Sequence, residues 1–221
     1  MNNNLVPYCA GNESCIDLQE AKCLNPGTAN ASCIKNIRRT CTPCEFGCEN
    51  GNCKTQLRIS TCQEINQPGY YILANDLSGP LTPGGACIII TTSDVILDMN
   101  KHKISTSINS SGDGIYASGY NIKNLTITNG EISNFATAIA LFGVNGSLIS
   151  NMRFYNGSTT IQLGSTHNIK VKDNLFANNM HSILISYSGK SNEIINNRFT
   201  FNNGVSIEFF GGSNDNIILR A

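Results

Sequence analysis

The residues with the chemistry for catalysis or metal binding are few in this chain of 221 residues. Asp94, Asp98 and Asp113 form a calcium site only if one corner of the fold gathers their carboxylates. His181 has no acid or thiol close to it in sequence, although general acid–base catalysis needs a partner within hydrogen-bond reach. Asp113 lies in a glycine-rich stretch, where an aspartate ordinarily bonds its own turn. From these residue types we expect no catalytic residue, no cofactor-binding residue and no metal site.

Ten cysteines are the strongest chemical signal of the sequence. Eight of them lie in the first 53 residues, and such a density is typical of a disulfide framework formed in an oxidising compartment. The alternative is a zinc site, because Cys41 and Cys44 form a CxxC pair with two further cysteines close by. A single CxxC pair and the absence of histidine from this segment favour disulfides. The cysteines are Cys9, Cys15, Cys23, Cys33, Cys41, Cys44, Cys48, Cys53, Cys62 and Cys87.

Two pairs of these cysteines share one spacing: Cys15 and Cys23 are eight positions apart, and so are Cys33 and Cys41. Residues eight apart on a helix share roughly one face. Antiparallel packing of two such helices would bond Cys15 to Cys41 and Cys23 to Cys33. The helices proposed for this segment are residues 13–23 and 30–40. The sequence therefore predicts a small, partly helical disulfide domain.

The composition excludes several classes of protein. The chain carries 15 basic and 15 acidic side chains, and this neutrality argues against a nucleic-acid partner. Its longest uninterrupted apolar runs, such as Ala86 to Ile90, are too short to cross a bilayer. Met1–Asn4 lack the basic and apolar stretches of an export signal, so we interpret the sequence as a piece of a longer precursor. We expect an extracellular or cell-surface location with no membrane span in this segment.

A repeat of about 22 residues runs through the second part of the chain. Three apolar columns keep this period, and three columns in phase predict three short strands per turn of a coil. Within each strand, alternate residues should point into the core. The first column is Ile115, Ile139, Ile161, Ile183 and Ile207; the second is Ile127, Ile149, Val171 and Ile194; the third is Ile132, Phe154, Phe176 and Phe199.

Asparagine is the residue we expect at the corners of this coil. It supplies 31 of the 221 residues. Asn129, Asn151, Asp173 and Asn196 each stand three residues before a member of the third column. Asparagine and aspartate tolerate the left-handed backbone and bond neighbouring peptide groups, which is what a tight corner requires.

The repeats "HNIKVKDNLFANN" (167–179) and "SNEIINNRFTFNN" (191–203) resemble those of right-handed parallel β-helices of the pectin-lyase-like superfamily. The resemblance covers about residues 57–221. The stretches "CQEINQPGYYILANDLSG" (62–79) and "ACIIITTSDVILDMNKHKI" (86–104) are similar to the opening of β-helix domains in archaeal and bacterial surface proteins. This resemblance implies a disulfide between Cys62 and Cys87.

The expected fold class is all-β: a right-handed parallel β-helix, a three-sheet solenoid of about six coils over residues 56–221. The cysteine-rich disulfide domain precedes it over residues 1–55. The last coil stops after its second strand, and a solenoid needs a polar cap. We therefore expect the β-helix to be truncated, with further coils or a capping domain beyond Ala221.

Enzymes of this superfamily include pectate lyases, polygalacturonases and uronate epimerases, and the motifs of the last two are missing here. The sequence contains no Asp-Asp pair with Gly-His-Gly and no Asp-Pro-His-Glu string. Glu208 is the one acid among the residues that alternation turns outward on the first sheet. Lys170 and Lys172 turn outward on the second sheet. There are two interpretations of this pair: a site for an acidic sugar, or an ordinary charged surface in contact with solvent. The outward residues expected on the first sheet are Gly114, Tyr116, Ala138, Ala140, Thr160, Gln162, Ser182, Leu184, Ser206 and Glu208.

These observations favour a non-catalytic extracellular or cell-surface module for structural display, adhesion or carbohydrate binding. Its partner would be a polysaccharide or another cell-surface protein, and we expect no cofactor. The alternative is a polysaccharide-active enzyme, a lyase, hydrolase or epimerase, whose active site is degenerate or missing. The surface proposed for a ligand comprises Tyr116, Gln162, Glu208, Lys170 and Lys172.

Overall fold

The computed structural model describes residues 6–53, 55–78, 81–83 and 85–220. Met1–Asn4, which bear on the export signal, lie outside these ranges. The chain divides into two compact units, one ending at Gln56 and the other beginning at Leu57. Within the described ranges the regular elements are β-strands. No helix among these residues is long and apolar enough to cross a membrane.

The first unit is built on a long β-hairpin. Its β2 and β3 strands pair antiparallel, with Cys15 opposite Cys41 and Cys23 opposite Cys33. Both opposed pairs are disulfides, with Cα atoms 4.1 and 4.0 Å apart respectively. The strands of this unit are β1 (Tyr8–Ala10), β2 (Glu13–Leu24), β3 (Ser32–Pro43), β4 (Cys48–Glu49) and β5 (Asn52–Cys53).

The prediction of helices over 13–23 and 30–40 is wrong, although the two disulfides proposed from the cysteine spacing are present. A spacing of eight is even, so cysteines eight apart also share one face of a strand. The spacing therefore suits a hairpin as well as a helical pair. β-Branched residues such as Ile34, Ile37 and Thr40 favour the extended backbone.

The remaining cysteines also form disulfides. Cys9 bonds Cys48, and Cys44 bonds Cys53, so the four thiolates of the zinc alternative are divided among three disulfides. In the second unit, Cys62 bonds Cys87, the pairing that the family resemblance implies.

The second unit is a solenoid of about seven parallel turns, one more than the six expected, because Gln63–Ile65 adds a strand beside Ala86–Ile90. The long strands β11 (Lys103–Ser118), β12 (Thr126–Phe142) and β13 (Leu148–Tyr155) pass around corners and contribute to more than one sheet. The first sheet also contains β7 (Gln63–Ile65), β9 (Ala86–Ile90), β14 (Thr159–Gly164), β17 (His181–Ser186) and β20 (Ile207–Phe209). The second sheet adds β6 (Gln56–Ile59), β8 (Gly69–Leu73), β10 (Val95–Asp98), β15 (Lys170–Lys172), β18 (Glu193–Ile195) and β21 (Ile217–Leu219), and the third adds β16 (Leu175–Ala177) and β19 (Arg198–Thr200).

The core consists of ladders of identical or similar side chains on successive turns. All three predicted columns are confirmed, because their members are direct neighbours in the parallel register. In the third column the rings of Phe154, Phe176 and Phe199 stack with centroids 5.0 Å apart at each step. Packing of each side chain on its equivalents above and below removes the ladder from water.

The corner between the second and third sheets is a single residue in the left-handed region. Asn129, Asn151, Asp173 and Asn196 have φ values of 61°, 54°, 58° and 52° there, so the predicted corner role is confirmed. The short polar side chains make this backbone accessible at low cost. Each such residue bends the chain sharply between two strands.

A second set of asparagines points into the solenoid. The Asn174 amide donates to the carbonyl of Ile149 at 3.0 Å, and its Oδ1 accepts from the amide of Met152 at 2.9 Å. On the next turn, Asn197 Oδ1 accepts from the backbone amide of Asn174 at 3.0 Å. These bonds satisfy buried backbone groups that the strand ladders leave unpaired at the corner. The pairs Asn179 with Asn202 and Asn192 with Asn216 repeat the pattern at the other corners.

Candidate functional site

A groove follows the corner between the second and third sheets, and we call it the corner groove. It consists of two cavities, of about 430 and 540 Å³, which share Asn151 and Arg153. The first cavity is lined by Asp98, Asn100, Lys101, Asn129, Gly130, Glu131, Asn151 and Arg153. The second is lined by Asn151, Met152, Arg153, Asp173, Asn174, Leu175, Asn196 and Arg198.

The bend at each corner residue explains why side chains meet in this groove. The corner residues Asn129, Asn151, Asp173 and Asn196 line it together with outward residues of the third sheet, and Asp98 lines it from the end of a second-sheet strand. The third-sheet row that lines the groove is Glu131, Arg153, Leu175 and Arg198. In the outward row of the second sheet, Asp98, Thr128, Ser150 and Lys172, it is Asp98 that lines the groove.

The first cavity contains two carboxylates. Asp98 accepts hydrogen bonds from the Tyr70 hydroxyl at 2.9 Å, the Asn100 backbone amide at 2.8 Å and the Asn129 side chain at 3.3 Å. These three donors fix the Asp98 carboxylate at the corner. Glu131 lies on the next turn and lines the same cavity. The sequence did not reveal this pair, because its members are 33 residues apart and belong to different sheets.

The second cavity contains two arginines and one acid, Asp173, whose carboxylate is paired with Lys172. Arg153 and Arg198 occupy one row, with Leu175 on the strand between them. Over the described part of the chain, neither guanidinium lies within 4.0 Å of a carboxylate. Neither is therefore held in an ion pair, although Glu131 is the cross-strand neighbour of Arg153 and Asp173 lines the same cavity as both arginines. Each guanidinium keeps a planar fork of donors available at the groove.

Lys170 and Lys172, proposed as ligand residues from the sequence, each have an acidic neighbour. The Lys170 ammonium lies 3.0 Å from a carboxylate oxygen of Glu193, and that of Lys172 lies 3.2 Å from Asp173. Lys172 stands beside Ser150 on the outer face of the second sheet. Both lysines are thus in ion pairs.

Tyr116, Gln162 and Glu208, the other proposed ligand residues, lie on the outer face of the first sheet. They occupy one row, separated by Ala140 and Leu184. The five proposed residues are therefore divided between two sheets and form no single site.

The prediction that Gly114, Ala138, Thr160 and Ser182 face outward is wrong, because all four are buried. A Cβ at Gly114 would lie 2.8 Å from the Ile132 side chain of the core. Two successive residues point inward at the start of these strands, so the alternation begins one residue later than expected. The outer positions belong instead to Asp113, Thr137, Thr159 and His181.

This shift brings His181 close to an acid that the sequence did not suggest. Its Nδ1 lies 3.6 Å from Oε2 of Glu208, just beyond hydrogen-bond range. The two residues are 27 positions apart in sequence. They meet because their strands are neighbours in the first sheet.

The proposed calcium cluster of Asp94, Asp98 and Asp113 is not formed. Asp94 accepts from the Asn124 amide at 2.8 Å, Asp98 lies in the corner groove, and Asp113 lies on the first sheet. Across the residues that the structure describes, one group of three potential ligands converges, Glu13 with Cys15 and Cys41. That group contains a disulfide, so its two sulfurs are not thiolate ligands.

Replacing Asp113 with asparagine should stabilise the protein at neutral pH. Burial raises the pKa of the Asp113 carboxyl, and its hydrogen bond with Thr137 offsets part of this rise. A raised folded-state pKa means that stability falls as pH rises from the unfolded pKa, near 4, through the folded value. We expect Asp113→Asn to raise Tm at pH 7 by at most about 2–4 °C, the shift that ~1 kcal/mol produces at this size.

Thermal melts at several pH values test this prediction. The gain should shrink below pH 4, where the carboxyl of the parent protein is already protonated. Asp215→Asn, at an exposed position, is the matched control and should change Tm little. A gain that is the same at pH 3 and pH 7 would show that removal of the charge is not its cause.

Comparison with known proteins identifies the solenoid. A family model described as the right-handed β-helix region matches residues 64–220. A solved structure from Parabacteroides merdae ATCC 43184, described as a candidate glycosyl hydrolase, is similar with a TM-score of 0.45 and 14% identity. That match covers 75% of this chain and 81% of the other. No curated protein matches. Because the family model spans well over half of the sequence, the chain belongs to the right-handed β-helix family.

Proposed function

We propose that this protein is a non-catalytic extracellular carbohydrate-binding module whose corner groove holds a linear anionic polysaccharide. The observation that carries the proposal is the groove itself, in which polar side chains recur at equivalent positions on successive turns. Neighbouring turns are about 4.8 Å apart. A chain of sugar units lying parallel to the solenoid axis would therefore meet an asparagine or aspartate of the corner at each turn.

The corner amides supply hydrogen bonds to sugar hydroxyls. Asn129, Asn151 and Asn196 are exposed along the groove, and an amide offers both donors and an acceptor. A sugar hydroxyl is likewise a donor and an acceptor. The three amides therefore complement a polyhydroxylated ligand without requiring a particular orientation of each hydroxyl.

The arginines explain the preference for an anion. Arg153 and Arg198 form no ion pair within the described chain, and a guanidinium binds carboxylate or sulfate with two parallel hydrogen bonds. They are two turns apart, so they would contact anionic groups about 10 Å apart along the ligand. Salt should weaken this binding because both side chains are exposed.

The disulfides support an extracellular location. All ten cysteines are paired, and such proteins fold and persist in oxidising compartments. A polysaccharide or another cell-surface protein is then the accessible partner. Surface display and adhesion are compatible with the same glycan-binding groove.

The second candidate function is cleavage of the bound polysaccharide. It is favoured by one observation, that Asp98 and Glu131 line the same cavity. Glycoside hydrolysis uses two carboxylates, one as acid and one as base or nucleophile. We prefer binding because three donors already occupy the Asp98 carboxylate and fix the corner.

Affinity electrophoresis through gels containing polygalacturonate, alginate or neutral glucan tests the proposal. We expect retardation in at least one anionic gel, weakened by added salt, with no new reducing ends and no unsaturated uronate absorbance. Normal migration in both anionic gels would contradict the proposed function. Turnover that is abolished by Glu131→Gln would replace binding with the enzymatic alternative.

A further inference from the structure

Aromatic side chains form a patch on the outer face of the first sheet, in which the Tyr116 and Phe142 rings are inclined by 47° to each other. The ring centroids of Tyr116 and Phe142 are 6.2 Å apart, and both side chains are half-buried. Gly164 is the neighbour of Phe142 on the next strand. A Cβ at Gly164 would lie 2.6 Å from Cε1 of Phe142. The Phe142 ring therefore lies directly over Gly164, and it can do so only because that residue has no side chain.

Tyr187 extends this patch by one more turn. Cδ2 of Tyr187 lies 3.4 Å from the position that a Cβ at Gly164 would occupy. The Tyr187 side chain is 59% exposed. Ser186, the residue before it, is the neighbour of Gly164 on the following strand. Tyr116 and Phe142 thus lie on successive turns, Gly164 lies on the next turn and Tyr187 on the one after it. We call the three aromatic residues the aromatic platform.

The surroundings of the aromatic platform are polar but nearly uncharged. Gln162 lies beside Ala140 on the same face and is half-buried. The described charged groups of this face lie towards its ends, Glu64 and Asp113 at one and His181 with Glu208 at the other. This distinguishes the platform from the corner groove, whose walls carry both acids and arginines.

We propose that the aromatic platform is a second carbohydrate site, which binds the pyranose rings of a neutral glycan. One face of a pyranose is covered by C–H groups and is apolar, so it can be removed from water against an aromatic ring. Hydroxyls at the ring edge would reach the Gln162 amide, which is both donor and acceptor. An uncharged ligand matches the uncharged centre of this face, because an anion would gain no partner there.

The platform and the corner groove are separate sites with different ligand classes. The platform belongs to the first sheet, and the groove lies between the second and third sheets. The proposal therefore stands or fails independently of the proposed function. Variants of one site should leave binding at the other site unchanged.

The test is binding of cellohexaose and mannohexaose, measured by saturation-transfer difference NMR and by titration. We expect at least one of these neutral hexasaccharides to bind. Phe142→Leu keeps apolar bulk over Gly164 but removes the ring, and it should weaken binding about tenfold. Phe142→Tyr keeps the ring and should bind like the parent protein.

A second variant tests the position of the ring rather than its presence. Gly164→Ala should push the Phe142 ring off the sheet and weaken binding of the same hexasaccharide about tenfold. The double variant Arg153→Ala/Arg198→Ala should bind it as tightly as the parent. Circular dichroism spectra and thermal melts confirm that each variant is folded.

Three results would overturn the proposal. The first is that neither hexasaccharide binds the parent protein. The second is that folded Phe142→Leu binds as well as the parent, which would leave the aromatic residues with a packing role. The third is that the arginine double variant loses the neutral ligand, which would assign that ligand to the corner groove.

Discussion

Phe176→Ala should lower the free energy of unfolding by about 3–5 kcal/mol, the range measured for large aromatic truncations in cores. Phe176 is fully buried, and its ring stacks on Phe154 and Phe199 with centroids 5.0 Å away on either side. Its removal deletes both stacking contacts and leaves a cavity in the middle of the column. Urea denaturation followed by circular dichroism measures the loss.

In a solenoid, truncation of Phe176 should destabilise the protein more than the buried area of that side chain alone suggests. Each turn contacts only its neighbours, so a cavity at one turn weakens the coupling between the two halves of the column. We expect a broader transition as well as a lower midpoint. Phe210→Ala, at a side chain 62% exposed, is the control and should change stability by less than about 0.5 kcal/mol. Equal losses in the two variants would contradict the stacked-column account.

The solenoid was predictable because its signal is a period. Ile139, Ile161 and Ile183 recur every 22 residues, and residues equivalent on successive turns must be neighbours whatever the details of the corners. The left-handed corner at Asn151 followed from the same phase. The phase of the repeat, however, does not give the angle between the two strands on either side of a corner. That angle decides which outward side chains of the two sheets meet.

The corner groove could not be predicted for that reason. Asp98 and Glu131 lie on different sheets and different turns, and only the bend at the corner brings them to one cavity. Which residues of the first sheet face outward could not be fully predicted either. Ala138 and Ile139 are both buried, and no simple alternation predicts two consecutive inward residues.

The first unit shows the limit of cysteine spacing. Cys15 and Cys23 were placed on a helix because eight residues complete about two turns, yet eight is also an even number of strand positions. The disulfide partners are the same in either structure. The spacing therefore constrained the pairing and left the secondary structure undetermined.

The second large effect is expected in the corner groove. Arg153→Ala/Arg198→Ala should weaken binding of an anionic polysaccharide about 100-fold. A hydrogen bond to a charged group contributes about 1.5–3 kcal/mol. Because both arginine side chains are exposed, we expect each contribution to be near the lower end of this range, which corresponds to about a tenfold change in Kd per arginine. Dissociation constants from affinity electrophoresis at several salt concentrations measure the change.

A charge-matched control separates groove contacts from net charge. Lys123→Ala/Lys190→Ala removes two positive charges from exposed positions on a different corner of the solenoid. Its affinity should fall by no more than about twofold, within the small effect of distant, screened charges. If the lysine and arginine double variants weaken binding equally, the polysaccharide responds to overall charge and the groove is not its site.

An anionic glycan bound in the corner groove should lie against Arg153 and Arg198. Modification of arginines by phenylglyoxal, read residue by residue by mass spectrometry with and without saturating hexagalacturonate, tests it most directly. We predict that the ligand slows modification of Arg153 and Arg198, while the exposed Arg38 of the disulfide-rich unit reacts at an unchanged rate. Bound hexagalacturonate that leaves the reaction of Arg153 and Arg198 unchanged would contradict the claim.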